Sequence, residues 1–249
     1  MNLSDALRLV PALFRFVADD IVRSRSVYFV GVLAGYFTFE LVAAVVMTGG
    51  LGSGFGSRFI LVSLIVSAPL CRPWLNEDIR FGYAALWLQK PVGVLDYYFA
   101  RILAVFGWCV VATIAIGLAS LPASIGPASF IDVGRAVVTL GWIPTTLAAL
   151  SFLGAGLGAR NSGLFAYGTL FAGFALPGFW DAVRLGPFYR VLKVLLPPAP
   201  SALQANTTFE DGNFLAAAAD LLPLLVYILT CSGLALALSG ATAKRLVRA

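Results

Sequence analysis

Apolar runs of near-bilayer length, separated by short polar links, set the pattern of this chain. They cover about 27–48, 59–75, 102–123, 136–159, 164–180 and 221–242, and a helix needs about 20 apolar residues to cross the hydrocarbon core. Six spans are therefore predicted. The second is short and carries Pro69 and Arg72 near its inner end. Gly-rich 49–58 and the GARNSG link after the fourth run are too short for domains and are expected to be turns between antiparallel helices. Prolines at 69, 144, 177 and 223 are tolerated within a bundle, where neighbouring groups satisfy the carbonyls they free.

Ahead of the first run, Leu3, Leu7, Val10, Phe14, Val17 and Ile21 alternate at steps of four and three, with Asp5, Arg8, Arg15 and Asp19 elsewhere. This predicts an amphipathic helix within residues 1–26 lying in the membrane interface and adjusted at Pro11; a plain packing helix has the same pattern. A cleaved signal peptide is not expected, because the first long apolar run begins only after Asp19 and Asp20.

Two internal stretches break the rhythm. Between the second and third runs, 73–101 (PWLNEDIRFGYAALWLQKPVGVLDYYFAR) combines acids, bases and a dense aromatic set. Ile79, Tyr83, Leu86 and Trp87 recur near helical spacing while Arg80 and Gln89 fall on the wet side, so a platform helix against the membrane face is expected. Pro91 ends it, and a second amphipathic turn leads into the run at Ile102. The other stretch, 181–220, holds a short basic-amphipathic piece, the breaker run Pro197, Pro198 and Pro200, and an alanine-rich helix start. It is expected to be an external re-entrant or loop-helix segment.

Composition agrees with the pattern. The chain is 60% hydrophobic and 12% charged, with mean hydropathy +0.91, where soluble domains carry about a quarter charged residues. The expected class is an all-α integral membrane protein forming a single transmembrane domain over 1–249. Histidine is absent, which removes Ser-His-Asp, Cys-His and His-ligated metal chemistry together. Cys71, Cys109 and Cys231 lie in or at the ends of apolar runs without CxxC spacing, and are expected to be small core residues. No metal site is predicted.

With a cytoplasmic N-terminus, the inner side would hold Arg8, Arg15, Arg23, Arg25, Arg72, Arg80, Lys90, Arg101, Arg160, Lys244, Arg245 and Arg248. The outer side would hold only Arg58, Arg135, Arg184, Arg190 and Lys193. Twelve against five predicts both termini inside. Bases flanking spans also account for the basic pI, so nucleic acid is not an expected partner. The low Lys and high Arg, Ala and Gly content points to a high-GC bacterium and residence in its inner membrane.

With the order of elements and the stretch NEDIRFGYAALWLQKPVGVLDYYFARIL in view, the chain resembles the membrane subunits of ABC-2 type (type V) ABC exporters. The matching positions are Glu77 or Asp78, Gly82, Leu86 and Leu88, Lys90-Pro91-Val92, and Arg101; the family's basic or polar residue soon after Pro-Val is replaced here by Gly93, Val94 and Leu95. The resemblance implies a cytoplasmic coupling helix between spans two and three, docking on a separate ABC ATPase subunit. It also implies a second membrane subunit, the same or a related chain, forming the substrate path as a dimer. ATP and Mg would sit on the ATPase, with no cofactor on this chain. Consistently, Lys90, Lys193 and Lys244 are preceded by Gln, Leu and Ala, so no Walker A loop exists and the chain is not expected to be an enzyme.

Under this resemblance Glu77, Asp78, Arg80, Gly82, Lys90 and Pro91 form the ATPase-coupling set, and Phe81, Tyr83 and Trp87 anchor the platform in the bilayer interface. Glu77 and Asp78 after Asn76 also suit an ordinary helix start. Glu40 lies well inside the first run, where an unpaired acid costs roughly 2.5–3.5 kcal/mol; Tyr36 shares its face and is a possible partner. A substrate contact and a hydrogen-bonded structural acid are both open. In the fifth run Tyr167, Leu170, Phe171, Phe174 and Gly178 lie on adjoining faces suited to an amphiphile path or to plain packing. Tyr36, Glu40, Tyr167, Phe171 and Phe174 are thus the path candidates. The competing class is an ion-coupled secondary carrier or a scaffold subunit. A carrier would be expected to show several intramembrane charges or an inverted repeat, and only Glu40 is deeply placed.

Overall fold

The structure is a computed structural model describing residues 3–23, 63–65, 67–71, 93–120, 129–183, 194–211 and 213–248, with isolated helical positions between 28 and 47. Among the described residues the chain is all-helical. Its α-helices are α1 (Leu3–Arg23), α2 (Val94–Ser120), α3 (Ser129–Gly156), α4 (Ser162–Val183), α5 (Ala199–Glu210) and α6 (Phe214–Arg248), with a 3-10 turn at Ala68–Leu70. The apolar run 59–75 is therefore not one uninterrupted α-helix. Pro69 supplies no amide there, and the Cys71 amide closes the turn on the Ala68 carbonyl.

Centrally placed α3 packs against α2, α4, α5 and α6. Ala148, Phe152 and Ala155 join a core with Leu13 and Val17 of α1 and Tyr97, Tyr98, Ile102 and Val105 of α2. Ile143, Leu147 and Leu150 face a second core with Leu170 of α4, Ala199 and Ala202 of α5, and Leu224 and Ile228 of α6. Pro144 leaves a break in the α3 hydrogen-bond ladder, and the Thr145 hydroxyl donates to the Gly141 carbonyl beside it at 2.7 Å.

The GARNSG link folds as a compact cap. Gly158 takes φ +82°, the Ala159 amide reaches back to the Gly154 carbonyl at 2.8 Å, and the Asn161 side chain accepts from the Leu164 amide to start α4. Close approaches at two glycines gather three helix ends on one side of the bundle. A Cβ on Gly240 of α6 would lie 2.6 Å from Leu95 at the start of α2, and one on Gly156 at the end of α3 would lie 3.1 Å from Leu238 of α6.

Among the described residues Phe214–Ala241 is long and apolar enough to cross a membrane, and only 28% of its apolar window is buried. Leu215, Leu222, Leu225, Val226, Leu229 and Leu234 are exposed along it. An unbroken apolar face of that length is disfavoured in water and suits a lipid environment. The apolar stretch Ser162–Leu176 is shorter.

Candidate functional site

Two helix joints carry the polar chemistry of the described chain. The first lies where the 73–101 stretch becomes α2. That helix starts at Val94 and continues through Arg101 into the apolar run without interruption, since it contains no proline and no glycine before Gly107. Asp96 stands in its first turn, where the helix dipole favours an acid, and folds back over Gly93, so that a Cβ on Gly93 would collide with the Asp96 carboxylate. A side chain at residue 93 would displace that carboxylate.

Five residues on, Arg101 is buried to 2% exposure. Its Nη1 donates to the Tyr97 hydroxyl, and its guanidinium lies 5.5 Å from the Phe16 ring centroid of α1 and 5.8 Å from that of Tyr97. Two turns further, Trp108 stacks on Phe14 with centroids 4.7 Å apart, and its Nε1 donates to the Phe14 carbonyl at 2.9 Å. Gly107 makes room for this, because a Cβ there would meet the Phe14 ring at 2.9 Å. The apolar face of α1 is thus occupied by α2. Leu7, which the spacing groups with that face, is instead half exposed, and Ala6 takes the inward position.

The second joint lies at α5. Pro197 rests against Gly173, halfway along α4, where a Cβ would be 2.8 Å from the proline Cγ and 2.8 Å from its carbonyl oxygen. The Tyr227 hydroxyl of α6 donates to the Leu195 carbonyl at 2.9 Å. The first turn of α5 would normally expose unpaired amides. Here Pro198 and Pro200 have none, the Ala199 amide bonds the Pro197 carbonyl at 2.7 Å, and the Ala202 amide reaches the Pro198 carbonyl. The run PPAPS therefore lets a helix begin inside an apolar bundle. At the far end the Thr208 hydroxyl meets the Asp220 carboxylate at 2.9 Å, so α5 folds back along the first part of α6.

Of the predicted path residues, Tyr167 and Phe174 are committed to packing. The Tyr167 hydroxyl donates to the Leu64 carbonyl at 2.6 Å, and the Phe174 ring lies 5.8 Å from that of Trp142. Phe171 and Tyr36 are exposed. Tyr167 and Phe174 both pack against the second core, while Phe171 faces outward. Glu40, the coupling set Glu77, Asp78, Arg80, Gly82, Lys90 and Pro91, and the anchors Phe81, Tyr83 and Trp87 lie outside the described residues. Residue spacing did not single out Asp96, Trp108 or the Pro197–Gly173 contact. The available signals were the acid five residues after Pro91, and a glycine in an apolar helix that has a double proline to receive.

No protein-family model, curated protein or solved structure matches the chain.

Proposed function

We propose that this chain is the membrane subunit of an ATP-driven exporter of the ABC-2 type. It would have six spans and cytoplasmic termini in a bacterial inner membrane, pair with a second membrane subunit, and take its energy from a separate ABC ATPase. The observation that carries this proposal is the joint at the start of α2. A cytoplasmic platform transmits force to a span only if the two are rigidly connected, and α2 is one unbroken helix from Val94 into the apolar run. Arg101 and Trp108 tie that helix to α1, so a displacement of the platform would move α1 and the third span together.

The grouping of the α2 start with the α3 and α6 ends suits alternating spans, and α5 suits a re-entrant element between spans five and six. Glu77 and Asp78 are assigned to the ATPase contact and Phe81, Tyr83 and Trp87 to the bilayer interface. Phe171, being exposed, is a path candidate accessible to a substrate or a second subunit.

Purification of the tagged chain in mild detergent is expected to bring down a P-loop ATPase in one-to-one amount. Replacing Glu77 and Asp78 together by Ala should leave expression intact while uncoupling the ATPase from transport. A monodisperse chain with no ATPase would overturn the proposal in favour of a carrier or scaffold subunit.

A further inference from the structure

Thr146, in the middle of α3, is fully buried, and its hydroxyl has no hydrogen-bond partner among the described residues. Its neighbour shows how a helical threonine is ordinarily satisfied, since the Thr145 hydroxyl turns back to the Gly141 carbonyl. Thr146 makes no such bond, so its hydroxyl is not turned back on its own helix. At 100° per residue it lies midway between Trp142, Ile143, Ala149 and Leu150, all members of the second core. The same core holds Ala199 and Ala202 from the first turn of α5. Depth agrees as well. Trp142, one turn from Thr146, rests against Phe174, and the adjoining Gly173 receives Pro197 just ahead of α5. That helix start has a donor left over: Pro198 and Pro200 carry no amide and those of Ala199 and Ala202 are bonded, whereas the Ser201 amide makes no hydrogen bond among the described residues. Such an amide points along the axis out of the helix, at the positive end of its dipole.

We propose that Thr146 and the start of α5 form a binding site for an uncharged amphiphile that presents a carbonyl oxygen, such as an ester. The Thr146 hydroxyl and the Ser201 amide donate to that oxygen, and the second core takes the alkyl chain. The chemistry of the core selects this ligand. Among the described residues the buried charged side chains are Asp96 and Arg101, both at the α2 joint, so no base is at hand to balance an anion. Stripping a carboxylate or phosphate of water costs several times what a helix start returns, while a neutral carbonyl loses much less. A plain alkane would leave both donors unmet, and a buried unmet donor is itself destabilising. Helix starts near the midplane are also where membrane carriers hold the polar groups of their substrates. The proposal rests on the membrane setting of the chain and not on the exporter assignment.

The test uses the full chain, without any ATPase, in nanodiscs of ether-linked phosphatidylcholine, which contribute no ester carbonyl. Methyl dodecanoate, isotopically labelled at its carbonyl, is titrated in, and the hydrogen-bonded carbonyl band is followed by isotope-edited infrared spectroscopy. The wild type is expected to give a saturable band, retained in Thr146→Ser and weakened about tenfold in affinity in Thr146→Val. Unlabelled ester should displace the probe, and dodecane, dodecanoate and dodecylammonium should not. Thr146→Val keeps the shape and removes only an unpartnered hydroxyl, so its unfolding midpoint should equal or exceed that of the wild type. A lowered midpoint would mean that the hydroxyl is already satisfied within the fold, and would overturn the proposal. So would a wild type without the band, unchanged affinity in Thr146→Val, or dodecane displacing the probe as well as the ester does. In ester-linked nanodiscs a weakened titration would identify bilayer lipid as the source of the carbonyl and an unchanged one a free amphiphile; either supports the site.

Discussion

Where α1 meets α2, large and polar side chains fasten the helices: a buried guanidinium beside the rings of Phe16 and Tyr97, and an indole that stacks on Phe14 and donates to its carbonyl. Where α5 meets α4 and α6, the contacts are made by small or rigid residues, with Pro197 on Gly173 and with Ala199, Ala202 and Ala205 fully buried. The first joint depends on chemical identity and direction, the second on volume. In an apolar surrounding, small residues let backbones approach closely, and the gain is dispersion summed over many contacts. A buried cation is different: it is costly unless its donors and the rings around it are all in place, so it fixes one geometry and penalises others.

The largest effect should come from removing that cation's side chain. Arg101→Ala is expected to cost about 3 kcal/mol through lost packing and stranded partners, read as a lowered unfolding midpoint in detergent. Arg101→Lys should recover little of it, because an ammonium cannot reproduce a planar group lying against two rings. Full recovery by Lys would mean that the joint needs only charge, and the contrast between the two joints would fail.

Next comes volume at the second joint. Gly173→Ala places a methyl 2.8 Å from Pro197 and should cost about 1–3 kcal/mol. Gly168→Ala, on the same helix with nothing within 4 Å, should be neutral or slightly favourable. Equal effects at the two glycines, measured by the same unfolding midpoint, would show that Pro197 does not sit against α4.

The smallest effect is expected from Tyr227→Phe. It deletes one hydroxyl donating to the Leu195 carbonyl and should cost about 1 kcal/mol. A loss as large as that of Arg101→Ala would mean the α5 joint is also held by direction, and the two joints would be alike after all.

Much of the helical framework was legible in the sequence because apolar run length and 3.6-residue periodicity are local properties. The limits moved where local signals were weak. The sequence led a second amphipathic turn straight into the run at Ile102, and α2 passes through Arg101 as one helix because nothing in 94–106 breaks it and the charge packs against α1. Span two was drawn to residue 75 from hydropathy, whereas Pro69 turns the backbone earlier. Among site residues, spacing put Tyr167, Phe171 and Phe174 on adjoining faces but could not tell which face neighbours would occupy. That depends on Leu64 and Trp142, distant in sequence. The Pro197–Gly173 contact was hidden for the same reason. The two residues are 24 positions apart, and the fit exists only once the segment ahead of α5 lies against α4.

The brevity of α5 bears on how the chain is made. Insertion machinery sorts nascent segments by length and apolarity, and a 12-residue helix containing Gln204, Asn206, Thr207 and Thr208 offers too little of either to be placed by itself. The surfaces that receive it are α3 and α4, already synthesised, and α6, still to come. Its seating is therefore completed only after α6 has emerged, and a nascent chain halted before Phe214 would carry all of α5 without the α6 part of its cradle.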